Sequence, residues 1–307
     1  MIVYLAKRVL AAIPVLLGLT LLVFMMLHLI PGDPVAQMLG EAGVRQEVVD
    51  NLREQMGFDD PLHVQYGRYF VGLVQGDLGH SPLSRRDVSD MIGRVLPSTL
   101  ALAVSGLIIA ALLGTVLGIV AAVRQNSIVD NITMLIALIG VSMPSFWLGL
   151  MLIFIFSLQL GWLPATGSGG WERLILPAAT LGFAGSAIIA RMVRSSMLEV
   201  FRQEYVRTAT AKGIGASRVI VKHVLKNALI PVLTIIGLEF GRLLSGTVVI
   251  EVVFARPGIG RLLVESILRK DYIVVQGVVL INALFYVTVN LLVDLTYAYA
   301  DPRIRYS

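Results

Sequence analysis

Cysteine is absent from the chain. That excludes a disulfide framework, a thiolate metal site and a thiol nucleophile. Histidine is nearly as scarce: His28, His63, His80 and His223 are scattered and show no metal-ligand spacing. Charged residues make up only 15% of the chain. No G-x-x-x-x-G-K-[ST] phosphate loop occurs, so the chain does not bind and hydrolyse ATP by that route. There is no H-E-x-x-H and no G-x-S-x-G, and Ser and His fall in no readable triad order. An enzymatic role has no positive support in these residues. The acidic pair Asp59-Asp60 stands beside Pro61 and reads as a turn. The net charge of +5 says little about nucleic acid, and none is expected as a partner.

What the chain has in plenty is apolar sequence. Of 307 residues, 56% are hydrophobic, and the mean hydropathy is +0.81. This is the composition of a polytopic membrane protein. The first apolar run, after Lys7 and Arg8, extends from Val9 to about Leu29. It is longer than a signal-peptide core, and no small-x-small cleavage pattern follows, so it reads as a retained first span. Pro31-Gly32-Asp33-Pro34 then stops the helix. The polar region that follows carries two amphipathic helical patterns, Val44 to Met56 and Leu62 to Val74. It reads as a small helical extracytoplasmic insertion.

Five more spans follow in the sequence. Span 2 runs from Ser98 to Val123, and its Ala110, Gly114, Gly118 and Ala122 recur at intervals of four. Such a stripe of small residues lets another helix backbone come close. Span 3, from about Asn131 to Leu160, is longer than the roughly 20 residues a crossing needs. Pro144, within Ser142-Met143-Pro144-Ser145, kinks or breaks it. Ser142, Pro144 and Ser145 therefore rank as pathway candidates, because broken helices expose backbone groups to cavities. The alternative is a structural kink satisfied by neighbouring helices. Span 4 covers Leu174 to Ala190 and span 5 covers Ala228 to Ile250. Span 5 has a second close-packing pair, Gly237 and Gly241, and two charges, Glu239 and Arg242. Intramembrane charges are functional candidates by default, while the three-residue spacing equally suits a mutual ion pair. Span 6, Ile273 to Val293, carries Asn282, a polar residue that joins Glu239 and Arg242 as a pathway candidate.

The charges fix an orientation. Lys7, Arg8, Arg124, Arg191, Arg194, Arg303 and Arg305 all fall in segments that alternate to one side. By the positive-inside rule that side is cytoplasmic. The expected architecture is an all-α integral membrane protein of six transmembrane helices with both termini cytoplasmic. Its parts are 1–30 (N-terminus and helix 1), 31–97 (extracytoplasmic cap) and 98–307 (transmembrane core, helices 2–6), with a cytoplasmic loop at 198–227.

That loop holds the most informative stretch, Glu204 to Pro231. Arg207, Lys212, Arg218, Lys222 and Lys226 keep it out of hydrocarbon. Its helix formers run into Gly213-Ile214-Gly215, which ends or bends a helix, and a second helical pattern starts near Ala216. On these residues alone it is either a docking surface or a basic amphipathic segment lying on anionic lipid.

Several motifs bring in a resemblance. Tyr205-Val206-Arg207-Thr208-Ala209 and Ala211-Lys212-Gly213 are joined by Pro31-Gly32-Asp33-Pro34, Gly76-Asp77-Leu78-Gly79, Phe254 with Pro257-Gly258-Ile259-Gly260, Asp271-Tyr272 and Asp301-Pro302-Arg303-Ile304-Arg305. Together they resemble the membrane permease subunits of bacterial ABC importers, in the dipeptide/oligopeptide/nickel branch, and the resemblance covers essentially the whole chain. The family's cytoplasmic loop follows E-A-A, three residues, Gly, nine residues, I-x-L-P. Gly213 matches the Gly, whereas Arg207-Thr208-Ala209 stand at E-A-A, and Leu229-Ile230-Pro231 comes five residues late.

The resemblance implies a coupling helix seated on a separate ATP-binding subunit through Arg207, Thr208, Ala209, Ala211, Lys212, Gly213 and Gly215. It implies one or two such ATPase subunits, which hold ATP and Mg while this chain binds no cofactor. A second homologous permease and an extracytoplasmic solute-binding protein would complete the importer in the bacterial inner membrane. The branch handles dipeptides, longer peptides, glutathione and nickel. An ion-coupled carrier acting alone is the other class, and it would rely on Glu239, Glu251 or Asp294.

Overall fold

The computed structural model describes residues 2–29 and 46–300. The Pro31–Pro34 motif, Val44, Arg45 and the Asp301–Arg305 tail lie outside the described residues. In chain order the elements are α1 (Ile2–His28), α2 (Gln46–Met56), α3 (Leu62–Val74), a hairpin of β1 (His80–Ser81) and β2 (Arg86–Asp87), α4 (Val88–Val123), α5 (Ile128–Ser142), α6 (Ser145–Leu152), α7 (Glu172–Phe201), α8 (Glu204–Ala211), α9 (Ala216–Arg218), α10 (Lys226–Val253), α11 (Ile259–Leu268) and α12 (Tyr272–Ala300). Two stretches take the wider π-helical winding: Ile153–Gln159 after α6, and Val219–Leu225 between α9 and α10.

Among the described residues, five helices are long and apolar enough to cross a membrane, or six if the bent pair α5–α6 counts as one span. The pair turns by 106° between Ser142 and Ser145. Pro144 does more than kink this run. It carries no N–H for the ladder, and Met143 before it is extended (φ −83°, ψ 128°), as a residue preceding proline prefers. The helices outrun the apolar stretches that mark them. α4 begins at Val88 rather than Ser98 and continues through Pro97, and α7 runs on past Ala190 to Phe201.

The chain divides into two compact units. One comprises, of the described residues, 98–256 and 288–300. In it α7 packs against α5, α6 and α10. The small-residue stripe of α4 meets α7 at van der Waals limits. A methyl group on Gly114 would come within 2.6 Å of the Ser186 carbonyl oxygen, and one on Gly118 within 2.6 Å of that of Ala190. α7 answers with its own small residue, because a methyl on Gly182 would lie 2.6 Å from the Gly106 carbonyl oxygen. Gly237 of α10 is crowded by Val293, and Gly241 is buried. With little hydrophobic drive between helices in lipid, such close backbone approach is the main source of packing energy.

The other unit comprises, of the described residues, 2–29, 46–97 and 257–287. Its core is Val88, Ile92, Ile259, Val274 and Val278. Phe24 of α1 stacks its ring near Tyr66 and Tyr69 of α3, which covers the range of the second amphipathic pattern. The Gln276 side chain donates to the Val23 carbonyl at 2.9 Å, and the buried Ser81 hydroxyl donates to Asp271. β1 and β2 pair antiparallel, His80 with Asp87 and Ser81 with Arg86.

Candidate functional site

The loop that carries the basic stretch folds as a short helix with a defined stop. α8 starts with Glu204 in its first turn, where a carboxylate complements the helix dipole. It ends in a Schellman arrangement. The Ile214 N–H donates to the Ala209 carbonyl (3.3 Å), and the Gly213 N–H to that of Thr210 (3.0 Å). Gly213 sits at φ +77°, a left-handed position that a side chain would strain. The chain then re-enters helix at Ala216.

One side of α8 belongs to its own unit. Val206 and Ala209 are buried in a cluster with Met197, Val219 and Val224. The start of α8 is tied to the returning chain: Asn227 donates to the Tyr205 hydroxyl at 2.8 Å and to the His223 carbonyl at 3.0 Å. Arg207, Thr208, Ala211, Lys212, Gly213 and Gly215 are exposed. Ala209 therefore does not share their surface; it locks the helix down from behind. A cleft of about 730 Å³ opens alongside, lined by Val206, Arg207, Thr210, Ile214, Val219 and Ile220 among others.

The pathway candidates separate. Ser142 and Pro144 are exposed and Ser145 is half-buried, all at the α5–α6 break. Gly149, about one turn on from Ser145, packs against Phe254, Val253 and Thr180. Glu239 and Arg242 do pair: Arg242 Nε donates to Glu239 Oε2 at 2.9 Å and Nη2 lies 2.8 Å from the same oxygen. The Glu239 side chain is 7% exposed and that of Arg242 51%. Asn282, half-buried, belongs to the other unit, which holds residues 257–287.

Two polar networks join residues that sequence reasoning did not connect. Arg194 of α7 grips Asp130 of α5 with both Nε and Nη2, each at 2.7 Å. Asp130 is 2% exposed and also accepts from the Asn126 N–H. The second network lies at the end of α10, where the Thr99 hydroxyl donates to Glu251 at 2.6 Å, both residues being buried. The chain then turns back, with Ala255 at φ +46° and the Arg256 N–H on the Glu251 carbonyl. The Arg256 side chain is buried, and its Nε and Nη1 find no acceptor among the described residues. Burial pulls its pKa below the usual arginine range, with the Glu251 carboxylate opposing. Neither network has a local signature, since the partners stand far apart in sequence.

Residues 114–306 match the family described as "Binding-protein-dependent transport system inner membrane component". Residues 1–103 match "Binding-prot-dependent transport system membrane comp, N-term". The glutathione transport system permease protein GsiC of Salmonella typhimurium is 46% identical over 306 residues, with both chains fully covered. The dipeptide transport system permease protein DppB of Alkalihalophilus pseudofirmus is 46% identical over 334 residues, again with both fully covered. Among solved structures, an inward-facing form of the MetNI methionine ABC transporter aligns with a TM-score of 0.59 at 19% identity, over 69% of this chain and 96% of that one. An amino acid ABC transporter solved with histidines aligns at 0.55 and 15%, over 69% and 94%. These last two speak to the fold alone. The chain belongs to the binding-protein-dependent transport system inner membrane components, as a multi-pass permease subunit of an ABC importer in the inner membrane.

Proposed function

We propose that this chain is one half of the membrane pathway of an ATP-driven importer of di- and oligopeptides, and that α8 is its contact with a separate ATP-binding subunit. The observation that carries the reading is the construction of α8. It is a rigid, Schellman-capped helix anchored through Val206, Ala209 and Tyr205, with Arg207, Thr208, Ala211, Lys212, Gly213 and Gly215 left outward. A part that transmits a push needs this combination of fixed back and free front. Arg207 and Lys212 suit acidic groups on the partner.

In this reading α5–α6 count as one broken span, giving six, with both termini cytoplasmic. Residues 31–97 form the extracytoplasmic cap, 98–307 the permease core and 198–227 the coupling loop. ATP and Mg belong to the ATPase subunits. A second, homologous permease completes the pathway, and a solute-binding protein delivers substrate to the cap side. Ser142, Pro144, Ser145, Glu239, Arg242 and Asn282 line or flank the route.

A glutathione substrate is the second reading, favoured by the GsiC relatives at 44–46% identity. Glutathione is itself a peptide with free carboxylates, so the two readings ask similar chemistry of the route. The test is to assemble the chain with its permease, ATPase and binding-protein partners in liposomes. ATP hydrolysis is then measured with dipeptides, longer peptides, glutathione and nickel in turn. Stimulation by peptides with matching uptake is the expected outcome; stimulation by nickel alone, or uptake without any ATPase, would overturn the reading.

A further inference from the structure

The outward face of α10 runs through Leu238, Arg242, Ser245, Val249 and Val252, all exposed in this chain. Their spacing places them on one side of the helix. Arg242 lies eight residues before Ile250, about 12 Å along the axis from that end of the apolar run. A guanidinium at such depth is unfavourable if it must face hydrocarbon. The exposed face of α4 makes the contrast. It presents Val104, Ile108, Leu112, Val116 and Val120, without a charge. The face of α4 suits lipid, whereas that of α10 suits water or protein.

Glu239 holds the guanidinium in a particular way. Both contacts, from Nε and Nη2, converge on a single oxygen, Oε2. An arginine has five N–H donors, so the two contacts leave three, including both on Nη1. Glu239 is buried behind its partner while half of the Arg242 side chain stays open. The arrangement is a fork, fixed from behind and open in front, with the Ser245 hydroxyl one turn along the same face.

We propose that Arg242 binds the free carboxylate of the substrate during passage, with Glu239 as the positioning residue that aims it. The proposal rests on the peptide-importer reading above and assigns a recognition group within it. Charge balance favours a mobile ligand over a fixed acidic side chain of the second permease. Arg242 is already neutralised by Glu239. A second fixed carboxylate would strand a net negative charge within the membrane, and an uncompensated buried charge is strongly unfavourable. A zwitterionic peptide brings its own ammonium group.

The test uses the assembled importer in liposomes with saturating binding protein. Uptake of alanyl-alanine is compared with uptake of its C-terminal amide, in the native chain and in Arg242→Gln, Arg242→Lys and Glu239→Gln variants. Co-purification of the second permease is measured for each. The expected result for Arg242→Gln is at least a tenfold fall in the acid-to-amide uptake ratio, with the second permease still bound. Arg242→Lys keeps the ratio within about threefold, since a charge remains, and Glu239→Gln raises the KM for the acid more than it lowers kcat. An unchanged ratio in Arg242→Gln overturns the proposal. So does loss of the second permease from that variant, which would assign Arg242 to the interface instead. If the native importer takes up neither peptide, the peptide reading itself fails and the proposal with it; uptake of the acid by the native chain separates the two cases.

Discussion

The bidentate contact between Arg194 and Asp130 gives a stability test whose size can be worked from the geometry. Replacing Arg194 with Met keeps most of the side-chain volume and removes the charge. Asp130, 2% exposed, is then left as a buried carboxylate. Breaking a buried pair by removing one partner costs about 3–5 kcal/mol. Three features pull the estimate to the lower end. Asp130 keeps the Asn126 N–H at 3.0 Å. It sits in the first turn of α5, where the helix dipole returns about 0.3–1 kcal/mol to an anion. The Arg194 side chain is 27% exposed, so some water can reach the vacated space. The expected cost is therefore about 3 kcal/mol. The double variant Asp130→Leu with Arg194→Met removes both charges and should recover at least half of that, because neither ion is stranded. The assay is reversible unfolding in mixed micelles with increasing denaturing detergent, run on the native chain, both single variants and the double. A single-variant cost below about 1 kcal/mol, or a double variant equal to the sum of the singles, would show that the contact is a surface pair of little worth.

Three further outcomes are expected. Gly118→Leu should destabilise by more than the 1–3 kcal/mol typical of overpacking, since even a methyl group there would lie 2.6 Å from a backbone oxygen; Gly93→Leu, with open space around it, should not, and thermal unfolding of both variants checks the contrast. Gly213→Ala places a side chain at φ +77° and should cost about 1–2 kcal/mol locally, lowering uptake by the assembled importer while membrane insertion measured by fractionation is unaffected; Gly213→Pro should abolish uptake. Thr99→Val removes a buried donor to Glu251 and should cost about 1–3 kcal/mol in the same unfolding assay.

Much of this architecture can be read from the chain itself, because periodicity and special residues are local signals. The pattern from Leu62 to Val74 coincides with α3, Gly213 with the stop of α8, and the Gly114–Gly118 stripe with a close backbone contact between α4 and α7. Helix lengths were harder. Asp90, Arg94 and Pro97 mark where apolar sequence ends, but hydropathy reports the bilayer and not the hydrogen-bond ladder, so α4 continues through them to Val88. The polar networks were illegible for a different reason. Asp130 and Arg194 are 64 positions apart, and Thr99 and Glu251 are 152. Only packing tells such partners from ordinary flanking charges. The pairing of Glu239 with Arg242 falls between: spacing allowed it, while only the fold shows which of the two is covered.

The π-helical stretch Val219–Leu225 has a mechanical consequence. It joins the end of the α8–α9 loop to α10 without a break in the helix. Wider winding holds surplus chain. If one residue of that surplus returned to ordinary α winding, everything beyond it would advance by about 1.5 Å and swivel by about 100°. A thrust delivered at α8 thus meets a screw thread and not a stiff rod. Linear travel on one side of the segment can leave it as rotation on the other, and the face bearing Arg242 is what would turn.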